Sequence, residues 1–200
     1  MNAVQLIGVA ASLSLLAGWR LYATVAAAGL AMRLHLIPLP HQAAALSVLA
    51  NPWIIGIAAF GALAELLADK VAWLDSLWDA VHLAIRPVGG ALIALAVVDA
   101  HDPVWQAAAL LLGGGAALVS HSAKSGARAV VNTSPEPLSN IAVSGAEDLA
   151  TGAGLWLTLA HPAVAAWIAG ALLVFALVLL AASWRVVRSV GRWLLRGGET

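Results

Sequence analysis

The stretch AVAAWIAGALLVFALVLLAASW, residues 163–184, contains no charged residue. A helix of roughly 20 apolar residues is enough to cross the hydrocarbon core of a membrane. Four arginines follow it, namely Arg185, Arg188, Arg192 and Arg196. Because basic residues next to a membrane span stay mainly on the cytoplasmic side, the stretch predicts a spanning helix followed by a short cytoplasmic tail, residues 185–200.

The composition of the whole chain extends this prediction. Of its 200 residues 62% are hydrophobic and 10% are charged, whereas about a quarter of the residues of a soluble protein are charged. The sequence therefore predicts an all-α, polytopic integral membrane protein that forms a single domain, residues 1–200, in the lipid bilayer. The formal net charge is zero, so no global field attracts nucleic acid. The chain also lacks cysteine, which excludes thiolate nucleophiles, thiolate metal ligands and disulfides.

Hydropathy and the positions of turn-forming residues divide the chain into about six transmembrane or re-entrant helices. The predicted segments are residues 4–32, 52–68, 87–98, 104–120, 141–160 and 163–184. The third segment is short for a full span. It extends backward through residues 74–85 if Pro87 makes a kink or a fresh start, because proline forfeits one helical hydrogen bond but suits a first turn.

A weak internal similarity relates two parts of the chain. Residues 52–99 and 103–160 both run from an apolar helix through a charged turn to a glycine-bearing helix. Both copies would have the same orientation in the membrane. Some transporters place their site at the interface of such parallel repeats.

Charged and other polar residues fall on three helical stripes, each a set of positions that share one helical face at about 100° per residue. The first assumes that residues 65–86 are helical and comprises Glu65, Asp69, Asp75, Asp79 and Arg86. The second is basic and comprises His121, Lys124, Arg128 and Asn132. The third comprises Asn140, Ser144, Glu147, Asp148 and Thr151. Between the second and third stripes, the turn around Glu136 contains two prolines, which end the basic helix.

Arg20 is an isolated charge in the middle of the first apolar segment. It lies too far from either end to reach the membrane surface easily and must find a carboxylate or water. Its candidate partners are Glu65, Asp69, Glu147 and Asp148. Of the six histidines only His121 is placed in the candidate site; the other five, His35, His41, His82, His101 and His161, are expected to be solvated in loops or near segment ends.

Three interpretations of the stripes remain open. In the first, they line a hydrated cavity, open to the cytoplasm, in which an ion or a small polar solute binds or passes. In the second, they pair only to lock the helical hairpins together, since buried charges are normally paired. A lock needs few such pairs, because apolar replacement of a buried pair is often neutral. In the third, the protein is a membrane enzyme.

The enzyme interpretation depends on the spacings Glu65-x-x-x-Asp69 and Asp75-x-x-x-Asp79. Paired carboxylates of this kind hold divalent metal in membrane alcohol-phosphotransferases and prenyltransferases, and Mg²⁺ prefers oxygen ligands. The remaining elements of both signatures are absent, and Gly61 replaces the asparagine that begins the prenyltransferase pattern. The sequence requires no cofactor, although a divalent cation is compatible with these spacings.

Three strings together resemble the bacterial membrane family of unknown function 4126 (DUF4126). They are GWRLYATVAAAGLAMRLHLIPLP, ELLADKVAWLDSLWDAV with IRPVGGAL, and HSAKSGARAVVNTSPEPLSNIAVSGAED. The resemblance covers most of the chain and implies that the polar strings, Lys70 included, are the family's hallmark. It implies no activity, because the family name assigns none. Ala72 departs from the pattern, which has a proline there.

The leading prediction is therefore a multi-pass protein of the bacterial inner membrane, transporter- or channel-like, that passes or binds an ion or small polar solute. A metal-dependent membrane enzyme acting on a lipid or phosphate substrate and a structural or partner-binding subunit are the alternatives. The predicted site consists of Arg20, Glu65, Asp69, Lys70, Asp75, Asp79, Arg86, His121, Lys124, Arg128, Asn132, Glu136, Asn140, Ser144, Glu147 and Asp148. Assembly into homo-oligomers is compatible with the sequence.

Overall fold

The computed structural model describes residues 2–36, 41–98, 102–132 and 137–196, and these are almost entirely helical. In these ranges, six α-helices and two 3-10 helices follow one another. They are α1 (Ala3–Arg33), a 3-10 helix (His41–Ala50), α2 (Pro52–Ala68), α3 (Ala72–Val98), α4 (Pro103–Val131), α5 (Pro137–Ala160), a 3-10 turn (Pro162–Val164) and α6 (Ala165–Arg196).

Three helices start at a side chain that caps free backbone amides. Asn2 caps α1 in a reciprocal pair with Gln5, whereas Asn51 and Asp102 cap α2 and α4. The capping residue of α2 and of α4 is followed by proline, which lacks an amide hydrogen and fits the first helical position. Local sequence thus fixes where these helices begin.

The first helix forms the centre of the bundle. It contacts all five other α-helices, and 67% of its most apolar window is buried. Its core residues include Leu13, Leu16 and Ala17, which pack with Ile93 and Val97 of α3. The remaining helices therefore surround α1.

Close contact between helices depends on glycine where α1, α3 and α4 meet. A Cβ atom added to Gly90 of α3 would lie 2.5 Å from the Cβ of Ala117 and 2.9 Å from the carbonyl oxygen of Gly113. Small residues allow this approach, which is how helices commonly associate in membranes. The crossing brings the polar stripes of α3 and α4 against each other.

Within the described residues, four helical stretches are long and apolar enough to cross a membrane, judged by length and composition: α1, α3, α4 and residues 162–189, which include most of α6. The shorter α2 is also apolar. Large apolar side chains such as Trp53, Phe60 and Val174 are exposed on the outer surface, as expected for a protein that faces lipid. The number of actual spans and the pairing of 52–99 with 103–160 as repeats remain predictions.

The structure decides two of the predictions about where helices begin and end. The third segment takes its extended form, because α3 runs without interruption from Ala72 through Pro87 to Val98. The assumption that residues 65–86 form one helix is wrong. Helix α2 ends at Ala68 and α3 begins at Ala72, so the first stripe is divided between two helices and the turn that joins them.

Candidate functional site

Charged side chains from five helices converge at the end of the bundle where α2 joins α3. We call this set the charged cluster. Its cations are Arg20, Lys70, Arg86, Lys124 and Arg128, and its carboxylates are Glu65, Asp69, Asp75, Asp79, Glu147 and Asp148. Most members are almost completely buried; Asp148 is 40% exposed. The three stripes predicted from sequence therefore face one another.

Arg20 lies at a break in α1. Its backbone angles, φ −144° and ψ 80°, are not helical, so the helix is kinked at this residue. Thr24 donates its hydroxyl to the Arg20 carbonyl at 2.7 Å, and Arg86 donates from Nη1 to the Gly18 carbonyl at 3.2 Å. Irregular backbone at membrane depth requires such internal partners. The break turns the Arg20 side chain towards α5 and the α2–α3 turn.

The partners of Arg20 are three of the four carboxylates expected from sequence. Nη1 lies 2.5 Å from Oδ2 of Asp69, while Nη2 lies 3.4 Å from Oε2 of Glu147 and 3.0 Å from Oδ1 of Asp148. Nη2 also donates to the Ser144 hydroxyl at 3.3 Å. Arg20 is thus an ion-pair partner inside the bundle and does not extend to the membrane surface.

Asp69, in the turn between α2 and α3, is the carboxylate on which the cations converge. Oδ2 lies 2.5 Å from Arg20, 3.0 Å from Arg128 and 3.4 Å from Lys124. Burial acts to raise the pKa of Asp69, but the charges of Lys124, Arg20 and Arg128 outweigh burial and hold the pKa below its ordinary value. Asp69 is therefore ionised and bound on several sides.

Arg86 connects the cluster to the middle of the bundle. Its Nη2 donates to Oε1 of Glu65 at 2.5 Å, and its Nη1 lies 3.6 Å from Oδ1 of Asp79. Nη1 also lies 2.7 Å from Nδ1 of His121. Because an arginine only donates hydrogen bonds, Nδ1 of His121 must accept, and Nε2 must carry the hydrogen that is donated to the Asp79 carbonyl at 3.0 Å. His121 is thus a neutral imidazole in this arrangement.

Lys124 and Arg128 join α4 to α5 and to the α2–α3 hairpin. Lys124 Nζ lies 3.7 Å from Glu65 and 3.9 Å from Glu147. Arg128 Nε lies 3.4 Å from Glu147, and Arg128 Nη1 donates to the Asn140 carbonyl at 3.4 Å. Each of these two cations therefore has more than one carboxylate partner.

Asp75 and Asp79 are the least strongly paired of the buried carboxylates. The nearest cationic nitrogen to Asp75 is Nε of Arg128, at 3.8 Å, and Asn132 donates its amide to Oδ2 at 2.8 Å. Oδ1 of Asp75 and Oδ1 of Asp79 are buried and receive no hydrogen bond from a donor in the described part of the chain. These two carboxylate oxygens are therefore able to accept a further hydrogen bond or to bind a cation.

A cavity of about 270 Å³ lies beside these two carboxylates, between α3 and α4. Its polar lining consists of Asp75, Ser76, Asp79, His121, Ser122, Ser125, Arg128 and Asn132. A second, larger cavity of about 500 Å³ lies among α1, α2, α3 and the first 3-10 helix. Its lining includes no charged side chain, so of these two cavities the smaller one adjoins the charged cluster.

The structure brings the residues predicted from sequence together, with one exception. Glu136 lies outside the described residues. Lys70 is at the edge of the cluster, with Nζ 3.5 Å from the Ser144 hydroxyl, and Asn140 is buried beside Arg128. A role for this set in binding remains a prediction.

The expectation that His82 is solvated is wrong. His82 is 3% exposed, its Nδ1 donates to the Trp78 carbonyl at 2.7 Å, and its Nε2 accepts from the Tyr22 hydroxyl at 3.0 Å. Its ring stacks on Trp78 with 4.4 Å between centroids. A usable signal was present in the sequence, because His82 lies three residues after Asp79 and four before Arg86 and so shares their helical face.

The carboxylates of the cluster face cations and do not converge on a common point. Glu65 is paired with Arg86, and Asp69 with Arg20. Within residues 2–36, 41–98, 102–132 and 137–196, no group of three histidine, aspartate or glutamate side chains is placed to hold a metal ion. The paired-carboxylate spacings of the sequence thus produce ion pairs with arginine.

The comparison with known families matches residues 7–182 to the family described as "Domain of unknown function (DUF4126)". The chain belongs to this family. The match includes every member of the charged cluster, so the DUF4126 domain is the helical bundle that carries it. No curated protein and no solved structure matches the chain.

Proposed function

We propose that this DUF4126 protein is a transporter- or channel-like protein of the bacterial inner membrane that binds and passes an ion or a small polar solute in the charged cluster. The observation that carries the proposal is the contact between the cluster and the cavity of about 270 Å³. Asp75, Asp79, His121 and Arg128 belong to the lining of this cavity and also to the buried network. A solute in the cavity would contact charged groups directly.

The depth of the network supports the same proposal. Asp75 and Arg86 lie eleven positions apart on α3, which corresponds to about 16 Å at roughly 1.5 Å per residue. The hydrocarbon core is about 30 Å thick, so the polar groups extend from the end of the helix to about the middle of a span. Ionisable residues at this depth are costly and typically mark pathways for ions or protons.

A structural lock is the second candidate, and it also has a specific observation in its favour. Each buried cation of the cluster lies within 4 Å of at least one carboxylate. Such pairing would hold α1, α3, α4 and α5 together. A lock, however, does not require carboxyl oxygens that lack donors next to a cavity, as at Asp75 and Asp79.

Reconstitution of the purified protein into liposomes tests the proposal. Fluxes of protons, common monovalent and divalent cations, and small anions are measured for the wild type and for Glu147→Gln and Lys124→Ala. Arg185→Gln is the matched control, because Arg185 is an exposed charge outside the cluster. We expect at least one solute to move faster than in protein-free liposomes, with both cluster variants impaired and the control unaffected. Absence of flux for every solute, or normal flux in both cluster variants, would refute the proposal.

A further inference from the structure

The charged cluster has an uneven formal charge. Its cations are Arg20, Lys70, Arg86, Lys124 and Arg128, and its carboxylates are Glu65, Asp69, Asp75, Asp79, Glu147 and Asp148, so it has one more carboxylate than cations. If the half-buried Lys70 and the partly exposed Asp148 are both left out of this count, the carboxylates still outnumber the cations by one. His121 contributes no charge, since its Nδ1 accepts from Arg86. An uncompensated buried charge is expensive, and a buried group neutralises instead.

The distances to cationic nitrogens show which carboxylate lacks a compensating positive charge. Asp69 has cationic nitrogens at 2.5, 3.0 and 3.4 Å, and Glu65 has Arg86 at 2.5 Å. Asp75 is as deeply buried, with 0% exposure, but its nearest cationic nitrogen is 3.8 Å away. Asp75 is therefore the fully buried carboxylate with the weakest compensation.

The surroundings of Asp75 contain a second indication of the missing charge. Its Oδ1 is buried and receives no hydrogen bond from any donor in the described ranges. Three cations hold Asp69 in its ionised form, whereas Asp75 has one guanidinium at 3.8 Å, so a proton that balances the cluster belongs on Asp75.

The neighbours of Asp75 on every side agree with this placement. Helix α4 contributes Arg128 and Asn132, the turn before α3 contributes Asp69, and α3 itself contributes Asp79 one turn further on. Two carboxylates and one distant guanidinium therefore face Asp75, a balance that favours the neutral form. The cavity that Asp75 lines is about 270 Å³, which is room for several water molecules at roughly 30 Å³ each.

From this geometry we infer that Asp75 is a proton-binding site, which holds one proton and exchanges it through the cavity. The inference rests on the proposed function, for which it names the proton as a bound ion. No covalent bond other than O–H is made or broken. The proton leaves Asp75 to a proton acceptor such as water in the cavity, and the released carboxylate adds one negative charge to the cluster.

Infrared difference spectroscopy of the full-length protein in lipid tests the inference without relying on transport. A protonated carboxyl group has a carbonyl-stretch band that carboxylates lack, and the band shifts in D₂O if the proton exchanges. The wild type is expected to show this band at neutral pH, equivalent to one carboxyl group, with a D₂O shift. The Asp75→Asn variant should lose it, and the Arg185→Gln variant, changed at an exposed charge outside the cluster, should retain it.

A second variant covers the case in which Asp75→Asn fails to fold. Glu147→Gln removes one carboxylate elsewhere in the cluster, so that cations and carboxylates become equal in number. The Asp75 proton is then no longer needed for neutrality, and the band should disappear at a lower pH than in the wild type.

The inference is overturned if the wild type shows no band, if the band persists in Asp75→Asn, if it does not shift in D₂O, or if it titrates identically in Glu147→Gln. These results differ from a failure of the proposed function. A protein with the expected band but without any solute flux would bind a proton without passing one. A protein that transports another solute but shows no band would refute only the proton site.

Discussion

Arg86 and Glu65 form a buried ion pair, with Nη2 2.5 Å from Oε1 and exposures of 0% and 1%. The pair joins the middle of α3 to the last turn of α2. Breaking a buried pair by removing one partner costs about 3 to 5 kcal/mol, because the other charge is left uncompensated. This contact should therefore dominate the stability of the α2–α3 hairpin.

Arg86→Met should lower the free energy of unfolding by about 3 to 5 kcal/mol, which thermal unfolding in detergent would measure. The double variant Glu65→Gln, Arg86→Met should be less destabilised than the sum of the single variants, because contacting residues couple. Strict additivity would show that the pair contributes no coupling energy. Arg185→Gln, outside the cluster, should stay within about 0.5 kcal/mol of the wild type.

A leucine at Gly90 should destabilise the bundle, because α1, α3 and α4 meet there. A Cβ atom at Gly90 would lie 2.5 Å from the Cβ of Ala117, whereas a Cβ atom at Gly115 has no neighbour within 4 Å. Overpacking costs about 1 to 3 kcal/mol, so Gly90→Leu should unfold at a lower temperature than Gly115→Leu. Both variants gain the same helix propensity, and equal melting temperatures would contradict the close crossing.

The Tyr22 hydroxyl should matter for stability through His82. Tyr22→Phe removes the donor to Nε2 of His82 and leaves a buried acceptor unsatisfied, at a cost of about 1 to 3 kcal/mol. In a His82→Leu background that acceptor is absent, so the additional effect of Tyr22→Phe should shrink. Thermal unfolding of the four proteins measures the difference, and an undiminished effect would show that the hydroxyl acts through another contact.

Residues that share a helical face could be predicted from spacing alone. His121, Lys124, Arg128 and Asn132 recur at helical intervals, and α4 places them together against α3. The partners of Arg20 were also foreseeable, because an arginine in an apolar segment requires carboxylates and the sequence offers few.

The parts that the sequence did not reveal depend on contacts between distant residues. The break at Arg20 is marked by no proline, and it is stabilised by Arg86, whose Nη1 binds the Gly18 carbonyl. The burial of His82 likewise depends on Tyr22, which belongs to another helix. The acidic residues of the first stripe keep a helical spacing on both sides of residues 69–71, so their spacing does not reveal the turn there.

The orientation in the membrane is open to a direct test, because the chain contains no cysteine and needs no background substitution. Single cysteines are introduced in Val104→Cys, at the start of α4, and in Arg192→Cys, near the end of α6; both sites are exposed. A membrane-impermeant thiol reagent added to intact spheroplasts should label position 104 but not position 192. The reverse pattern would place the C-terminus outside.

Glu147→Gln is the variant best suited to separate conduction from a structural lock. Glu147 contacts Arg20, Lys124 and Arg128 at 3.4 to 3.9 Å, but each of these cations has Asp69 as a further partner. The substitution should therefore leave every cation paired and lower the melting temperature only slightly. Its effect on a transported solute should be much larger, because the charge of the cluster changes.

Conduction by the charged cluster is tested by the flux of the solute that the wild type transports, measured in liposomes for Glu147→Gln at equal protein content and alongside its melting temperature. Our account predicts that the flux falls at least about tenfold, equivalent to roughly 1.4 kcal/mol in the barrier, while the melting temperature changes by only a few degrees. An unchanged flux in a stable Glu147→Gln protein would contradict the claim that the charged cluster conducts.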